Sequence, residues 1–236
     1  MDKPRARPVI RPFVWVVLFS LGALAWFAGS LLVVREVVVL GDTRLTASDV
    51  MAVTGLQPGN KLWEVSLKEA RRALEALPQV KEATLRWQLG GQLLVNITER
   101  RAVAAIPAEG SFLIVDYEGR ILQLSQEPVS NLPLVTGLEL DSRLPGKFVS
   151  DPAASVVLQV CFLLDEEARY VSEVHWDGEL TLYTIDGVPV YLGVPDQGLR
   201  DRVSALRGIL VDLSARNLRP RYVNFRHTGR PVIGLD

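Results

Sequence analysis

Residues 13–34 read FVWVVLFSLGALAWFAGSLLVV and carry no charge. The run is 22 residues long. As a helix rising about 1.5 Å per residue it spans roughly 33 Å, which matches the hydrocarbon core of a bilayer. No polar stripe interrupts it, so it lacks the wet face of a helix lying on a soluble domain. The run therefore predicts three parts: a tail at 1–12, a transmembrane helix at 13–34, and an exported remainder.

The tail holds Lys3, Arg5, Arg7 and Arg11 against the single acid Asp2. The positive-inside rule keeps such a tail in the cytoplasm and sends the chain beyond Arg35 across the cell membrane in a single pass. A cleaved signal peptide is the competing reading, because Ala23-Leu24-Ala25 resembles a small-residue cleavage site. The apolar run continues past that point to Val34, well beyond the ~7–15 residues of a signal h-region, which favours an uncleaved anchor. The first 35 residues hold five of the 26 basic residues and one of the 27 acidic ones, leaving a net charge near −5 beyond them. That balance argues against a nucleic-acid partner. Cys161 is the only cysteine, so the chain forms no internal disulfide and relies on packing.

Residues 35–103 read as one α+β unit. Arg35–Leu40 is a β-branched strand ended by Gly41-Asp42. Thr46 and Asp49 fit a capping box, with Leu45 and Val50 as its hydrophobic staple. Gly55 suits the left-handed stop. Ser66 and Glu69 fit a second box ahead of the apolar face Leu67, Ala70, Leu74 and Leu77, and Pro78 ends that helix. Ala83, Leu85, Trp87 and Leu89 alternate, Gly90-Gly91 is a hairpin turn, and Leu93, Val95 and Ile97 alternate on the return. The order is β-α-α-β-β.

Residues 104–236 predict a second, strand-rich α/β domain. Strands are expected at 111–117 and 120–124, then an irregular connection from Leu132-Pro133-Leu134 through Pro145-Gly146. A helix at 153–168 precedes strands at 170–176, 179–185 and 188–192, which Asp177-Gly178 and Asp186-Gly187 separate. Leu199, Val203, Leu206, Leu210 and Leu213 mark a second helix. The chain closes with Tyr222–His227, a Thr228-Gly229 turn and a short strand at 231–233. Pro231 lacks an N–H, so this last hairpin belongs at a sheet margin, where an open edge can accept a partner strand. On that reading a Val232→Pro change would weaken partner binding.

No catalytic set gathers in the sequence. His175 and His227 lie far apart, and zinc spacings, a nucleophile elbow and a phosphate loop are missing. Asp165-Glu166-Glu167 reads as a solvated helix end. Cys161, between Val160 and Phe162, reads as a small core residue. Arg216, Arg219, Arg221, Arg226 and Arg230 form a basic cluster, read as solvated surface or as a docking patch for an acidic partner. Neither a cofactor nor a metal nor a small-molecule substrate is implied, and binding is the expected task.

Ordered motifs resemble the FtsQ/DivIB cell-division family. Val39-Leu40-Gly41-Asp42, Pro78-Gln79-Val80 and Leu93-x-Val95-x-Ile97-x-Glu99-Arg100 are similar to a POTRA domain. Val115-Asp116-x-x-Gly119, Leu132-Pro133 and Tyr222-Val223-Asn224-Phe225-Arg226 with Gly229 are similar to the β domain that follows it in the family. Asp42, Arg101 and Asn224 depart from the usual Asn, Pro and Asp. The resemblance implies a bitopic, non-enzymatic divisome scaffold. It implies binding to small coiled-coil proteins of the FtsB/DivIC and FtsL types, and through them recruitment and regulation of the septal peptidoglycan synthase. It also implies that the POTRA domain makes recruitment contacts. Partner strand addition is carried onto Tyr222, Val223, Asn224, Phe225, Arg226, Val232 and Ile233. Two other classes compete. A POTRA-bearing translocation or envelope-assembly component would bring further POTRA units or a membrane barrel, and a peptidoglycan enzyme would need clustered acids or a metal site.

Overall fold

The structure, a computed structural model, describes residues 14–23, 33–88, 90–216, 218–226 and 231–234. The tail at 1–12, much of the apolar run, Leu89, His227, the Thr228-Gly229 turn and Arg230 lie outside the described residues. Within the apolar run, residues 14–23 form a helix, α1. Among the described residues no helix is long and apolar enough to cross a membrane. The case for a transmembrane segment at 13–34 therefore rests on its sequence.

Packing divides the chain into two units: Met1–Ala76 with Glu82–Thr98, and Leu77–Lys81 with Glu99–Asp236. The first unit holds strand β1 (Glu36–Leu40), helix α2 (Ala47–Thr54), helix α3 (Leu67–Ala76) and most of strands β2 (Val80–Gln88) and β3 (Gln92–Glu99). The sheet order is β1-β3-β2, and β1 runs parallel to β3 with Val37 opposite Leu93 and Val39 opposite Val95. A parallel pair needs a crossover, which the two helices supply.

Both helix starts follow the expected chemistry. Thr46 Oγ1 accepts the Asp49 N–H at 3.3 Å and the Asp49 carboxylate accepts the Thr46 N–H at 2.8 Å, a complete capping box. Ser66 Oγ accepts the Glu69 N–H at 3.3 Å. Gly55, at φ 70°, closes α2 by donating to Met51 C=O. Val50, Leu56, Ala70, Leu74, Ala83, Leu93, Val95 and Ile97 are buried together on this scaffold. Gly41, at φ +106°, has room for no side chain, because a Cβ there would collide with the Ile97 carbonyl.

The second unit is built on a nine-stranded mixed sheet. Its strands are β4 (Ala102–Ala108), β5 (Ser111–Asp116), β6 (Ile121–Ser125), β7 (Leu134–Thr136), β8 (Val171–Trp176), β9 (Leu180–Thr184), β10 (Pro189–Gly193), β11 (Tyr222–Asn224) and β12 (Val232–Gly234), in the spatial order β12-β11-β10-β9-β8-β7-β4-β5-β6. Helices α4 (Ala154–Leu164) and α5 (Leu199–Arg216) contribute Val157, Leu158, Cys161, Val203, Leu206 and Leu210 to a core shared with β4–β11.

Three expectations need correction. β4 was not anticipated, because its sequence AVAAIPA is alanine-rich and contains Pro107. The irregular connection after Leu132 contains a three-residue strand, β7, parallel to both β4 and β8. The helix expected at 153–168 ends at Leu164, since Asp165 takes a positive φ of 51° and the chain continues as a 3-10 turn, Asp165–Tyr170.

Candidate functional site

The C-terminal hairpin β11–β12 forms one margin of the nine-stranded sheet. Its pairs are Tyr222 with Gly234, Val223 with Ile233, and Asn224 with Val232. β11 is held on its other side by β10, parallel, with Val190 opposite Val223. Side chains alternate between faces, so one row of cross-strand neighbours runs Val135, Val174, Leu182, Val190, Val223 and Ile233. The first five are buried, and Ile233 ends the row 40% exposed. An apolar ridge of the core thus reaches the open edge and stops there. The opposite row, Thr136, His175, Thr181, Tyr191, Asn224 and Val232, is largely polar until Val232, which is 49% exposed.

The seven residues carried over from the family resemblance therefore separate by position. Val223 and Phe225 are buried in the core, so their side chains hold the hairpin down rather than face outward. Tyr222, Val232 and Ile233 are exposed. Tyr222 lays its ring across Gly234, where a Cβ would lie 2.5 Å from the ring, an aromatic cover over an edge glycine. Asn224 Oδ1 accepts the Arg226 N–H at 2.8 Å. A carboxylate could accept the same bond, so Asn in place of Asp keeps the local turn and changes only the charge. Arg226 lies over the Tyr191 ring at 4.7 Å and pairs with Glu179 at 2.6 Å.

Backbone direction at the edge follows from the bonding of β11. Phe225 N–H donates to Tyr191 C=O on β10, which sets the parity along β11, and Gly234 C=O accepts the N–H of Arg221, which precedes β11 and stands outside its alternation, both at 2.8 Å. Polar groups alternate along a strand. Val223 therefore points its N–H and C=O at β10, Tyr222 and Asn224 point theirs at β12, and the groups of Val232 and Gly234 point back at β11. The N–H and C=O of Ile233 face outward. Pro231 shares that parity, so its missing N–H is one the hairpin ladder does not use. Val232→Pro would therefore act on the hairpin's own ladder rather than on the outer edge. Sequence reasoning marked both apolar residues without finding which backbone faces out, because that parity depends on strand register.

The other candidates are satisfied locally. Cys161 is buried, and burial pushes its thiol up to about 12, the reverse of a nucleophile. His175 Nδ1 lies 2.7 Å from Thr136 Oγ1, which also donates to Glu173 at 2.5 Å. Asp165 and Glu167 pair with Arg101 and Arg207. Arg216 and Arg219 pair with Asp212 and Asp186. Among the described residues no group of metal-binding side chains gathers.

Among the described residues, the β12 margin of this α+β protein presents an open strand edge. The profile for the POTRA domain, FtsQ-type, matches residues 32–100, and that for the cell division protein FtsQ/DivIB, C-terminal, matches residues 104–226. The chain belongs to the FtsQ/DivIB family, a family of cell-division scaffolds rather than of known enzymes. It is 26% identical to cell division protein FtsQ of Syntrophotalea carbinolica, over 94% of this chain and 83% of that one. It is 27% identical to FtsQ of Anaeromyxobacter sp., over 96% and 80%. Identity to cell division protein DivIB of Geobacillus kaustophilus is 24%, over 78% and 70%. The major extracytoplasmic domain of DivIB from Geobacillus stearothermophilus covers 52% of this chain and 99% of its own at 19% identity, with a TM-score of 0.36, too low to inform the fold.

Proposed function

We propose that this protein is a membrane-anchored divisome scaffold acting at the septum, with its tail at 1–12 in the cytoplasm, an anchor at 13–34, and an exported POTRA domain (35–103) and β domain (104–236). Its β12 edge receives a strand from a small coiled-coil division protein of the FtsB/DivIC type. An FtsL-type protein joins the same assembly, and the complex recruits and regulates the septal peptidoglycan synthase. The observation that carries this reading is the outward backbone of Ile233 at the end of an apolar row. Strand addition takes affinity from such main-chain groups and selection from neighbouring side chains, here Tyr222, Val232 and Ile233.

Ile233→Pro tests it. The change removes the outward donor while leaving the β11–β12 ladder bonds in place. Affinity for the FtsB/DivIC-type partner is expected to fall by roughly 5- to 150-fold, the equivalent of ~1–3 kcal/mol for an unsatisfied partner group. Ile233→Ser removes the apolar contact alone and is expected to weaken binding less. Circular dichroism checks that both variants fold. Wild-type affinity in a folded Ile233→Pro protein would contradict the proposal.

A further inference from the structure

The first unit is tied by hydrogen bonds to the end of the apolar run. Val33 forms an antiparallel bridge with Lys61. Val34 N–H donates to Asn60 C=O at 2.8 Å, and Gly59 N–H donates to Val34 C=O at 2.7 Å. The segment 59–61 is thus stitched to the last two residues of the run read above as the anchor. Trp63 follows two residues later, in the 3-10 turn Leu62–Glu64, and is 60% exposed. Two residues of chain reach no more than about 7 Å. This indole therefore cannot lie far from the point where the run ends.

Other features of this end agree. Lys61 Nζ lies 5.7 Å from the Trp63 ring centre and 3.5 Å from Glu64 Oε1, an exposed pair. Arg35 leaves the run directly, its N–H donating to Gly91 C=O at 2.7 Å, which brings the Gly90-Gly91 turn to the same end of the sheet. That turn carries no side chain to prop the unit away from a surface. The strand β1 leads away from this end, so Asp42 lies beyond its far terminus, roughly 13 Å or more along the strand at ~3.3 Å per residue. An exposed tryptophan is costly in water. At a membrane surface it is favoured, with its apolar ring among the upper acyl chains and its N–H among the headgroups, and a neighbouring lysine reaches the phosphates.

We infer that Trp63 and Lys61 seat the first unit on the lipid headgroup layer where the chain leaves the bilayer. The inference rests on the anchor reading of 13–34. The seat would limit how freely this unit swings on its anchor.

The test uses the full chain in phosphatidylcholine vesicles, with one environment-sensitive fluorophore at a time on Trp63→Cys, Lys61→Cys, Asp42→Cys or Leu21→Cys. Cys161 is buried and does not compete for label. Labels at 63 and 61 are expected to show blue-shifted emission and quenching by lipids spin-labelled near the headgroup, while the label at 42 responds only to an aqueous quencher. A label at 21 that is quenched from deep in the bilayer, with labels at 63 and 61 as water-exposed as the one at 42, would overturn this inference and leave the anchor intact. A water-exposed label at 21 would overturn the anchor reading and the inference with it.

Discussion

Gly41 and Asp116 show why two of the family-like motifs have the residues they do. Gly41 occupies a left-handed backbone position against the Ile97 carbonyl, so Gly41→Ala is expected to destabilise the first unit by roughly 2–4 kcal/mol. Denaturant unfolding checks this, and an unchanged midpoint would contradict the packing described. Asp116, in the Val115-Asp116-x-x-Gly119 motif, accepts the backbone N–H groups of Glu118 at 3.0 Å and Arg120 at 2.8 Å, while Gly119 closes the turn onto Asp116 C=O. Its carboxylate is buried and pairs with Arg100 at 2.5 Å, and Arg100 also meets Glu118 at 2.6 Å. Arg100→Ala would leave that buried carboxylate without its cation, with an expected cost of about 3–5 kcal/mol. The hydrogen bond from Arg100, then that from the Tyr117 hydroxyl, holds the Glu118 carboxyl below the usual range. A depressed folded value means that its stabilisation is present above the unfolded value of about 4.3 and fades as pH falls through the folded one. Unfolding midpoints at falling pH should therefore decline less steeply in Glu118→Gln than in the wild type. Equal slopes would contradict this role.

At the scale of elements, local chemistry made much of the first unit legible. The Thr46–Asp49 and Ser66–Glu69 signals place α2 and α3 because each side-chain bond sits within four residues of sequence. The Gly90-Gly91 turn places β2 and β3 in the same way. β4 and β7 escaped because neither advertises itself locally. β4 is alanine-rich, and β7 is three residues whose place between β4 and β8 is fixed by tertiary pairing. The hairpin at the margin was legible through Pro231, whereas the outward turn of Ile233 required the register. That register yields a contrast between neighbours. Val232→Pro removes a ladder donor to Asn224 and is expected to speed amide exchange in β11 and lower stability by about 1–3 kcal/mol. Ile233→Pro should leave β11 exchange near wild type. Indistinguishable variants would show the parity to be misassigned.

At the scale of the whole molecule, an anchor would act on binding as well as location. Confining the two units to a membrane would raise their effective concentration near other anchored proteins. Deleting residues 1–34 should move the protein out of the membrane fraction and weaken its accumulation at the septum, even though the β12 edge is untouched. Full septal recruitment of the truncated protein, if it is still exported, would separate the anchor from function. Central to the account is the outward backbone at the sheet margin, and amide exchange tests it most directly. When the full-length protein is mixed with an FtsB/DivIC-type protein, the proposed partner, the Ile233 amide should exchange far more slowly than in the free protein, while those of Val232 and Gly234, already facing β11, should change little. An Ile233 amide that exchanges as fast in the complex as in the free protein would contradict the claim that β12 receives the partner strand.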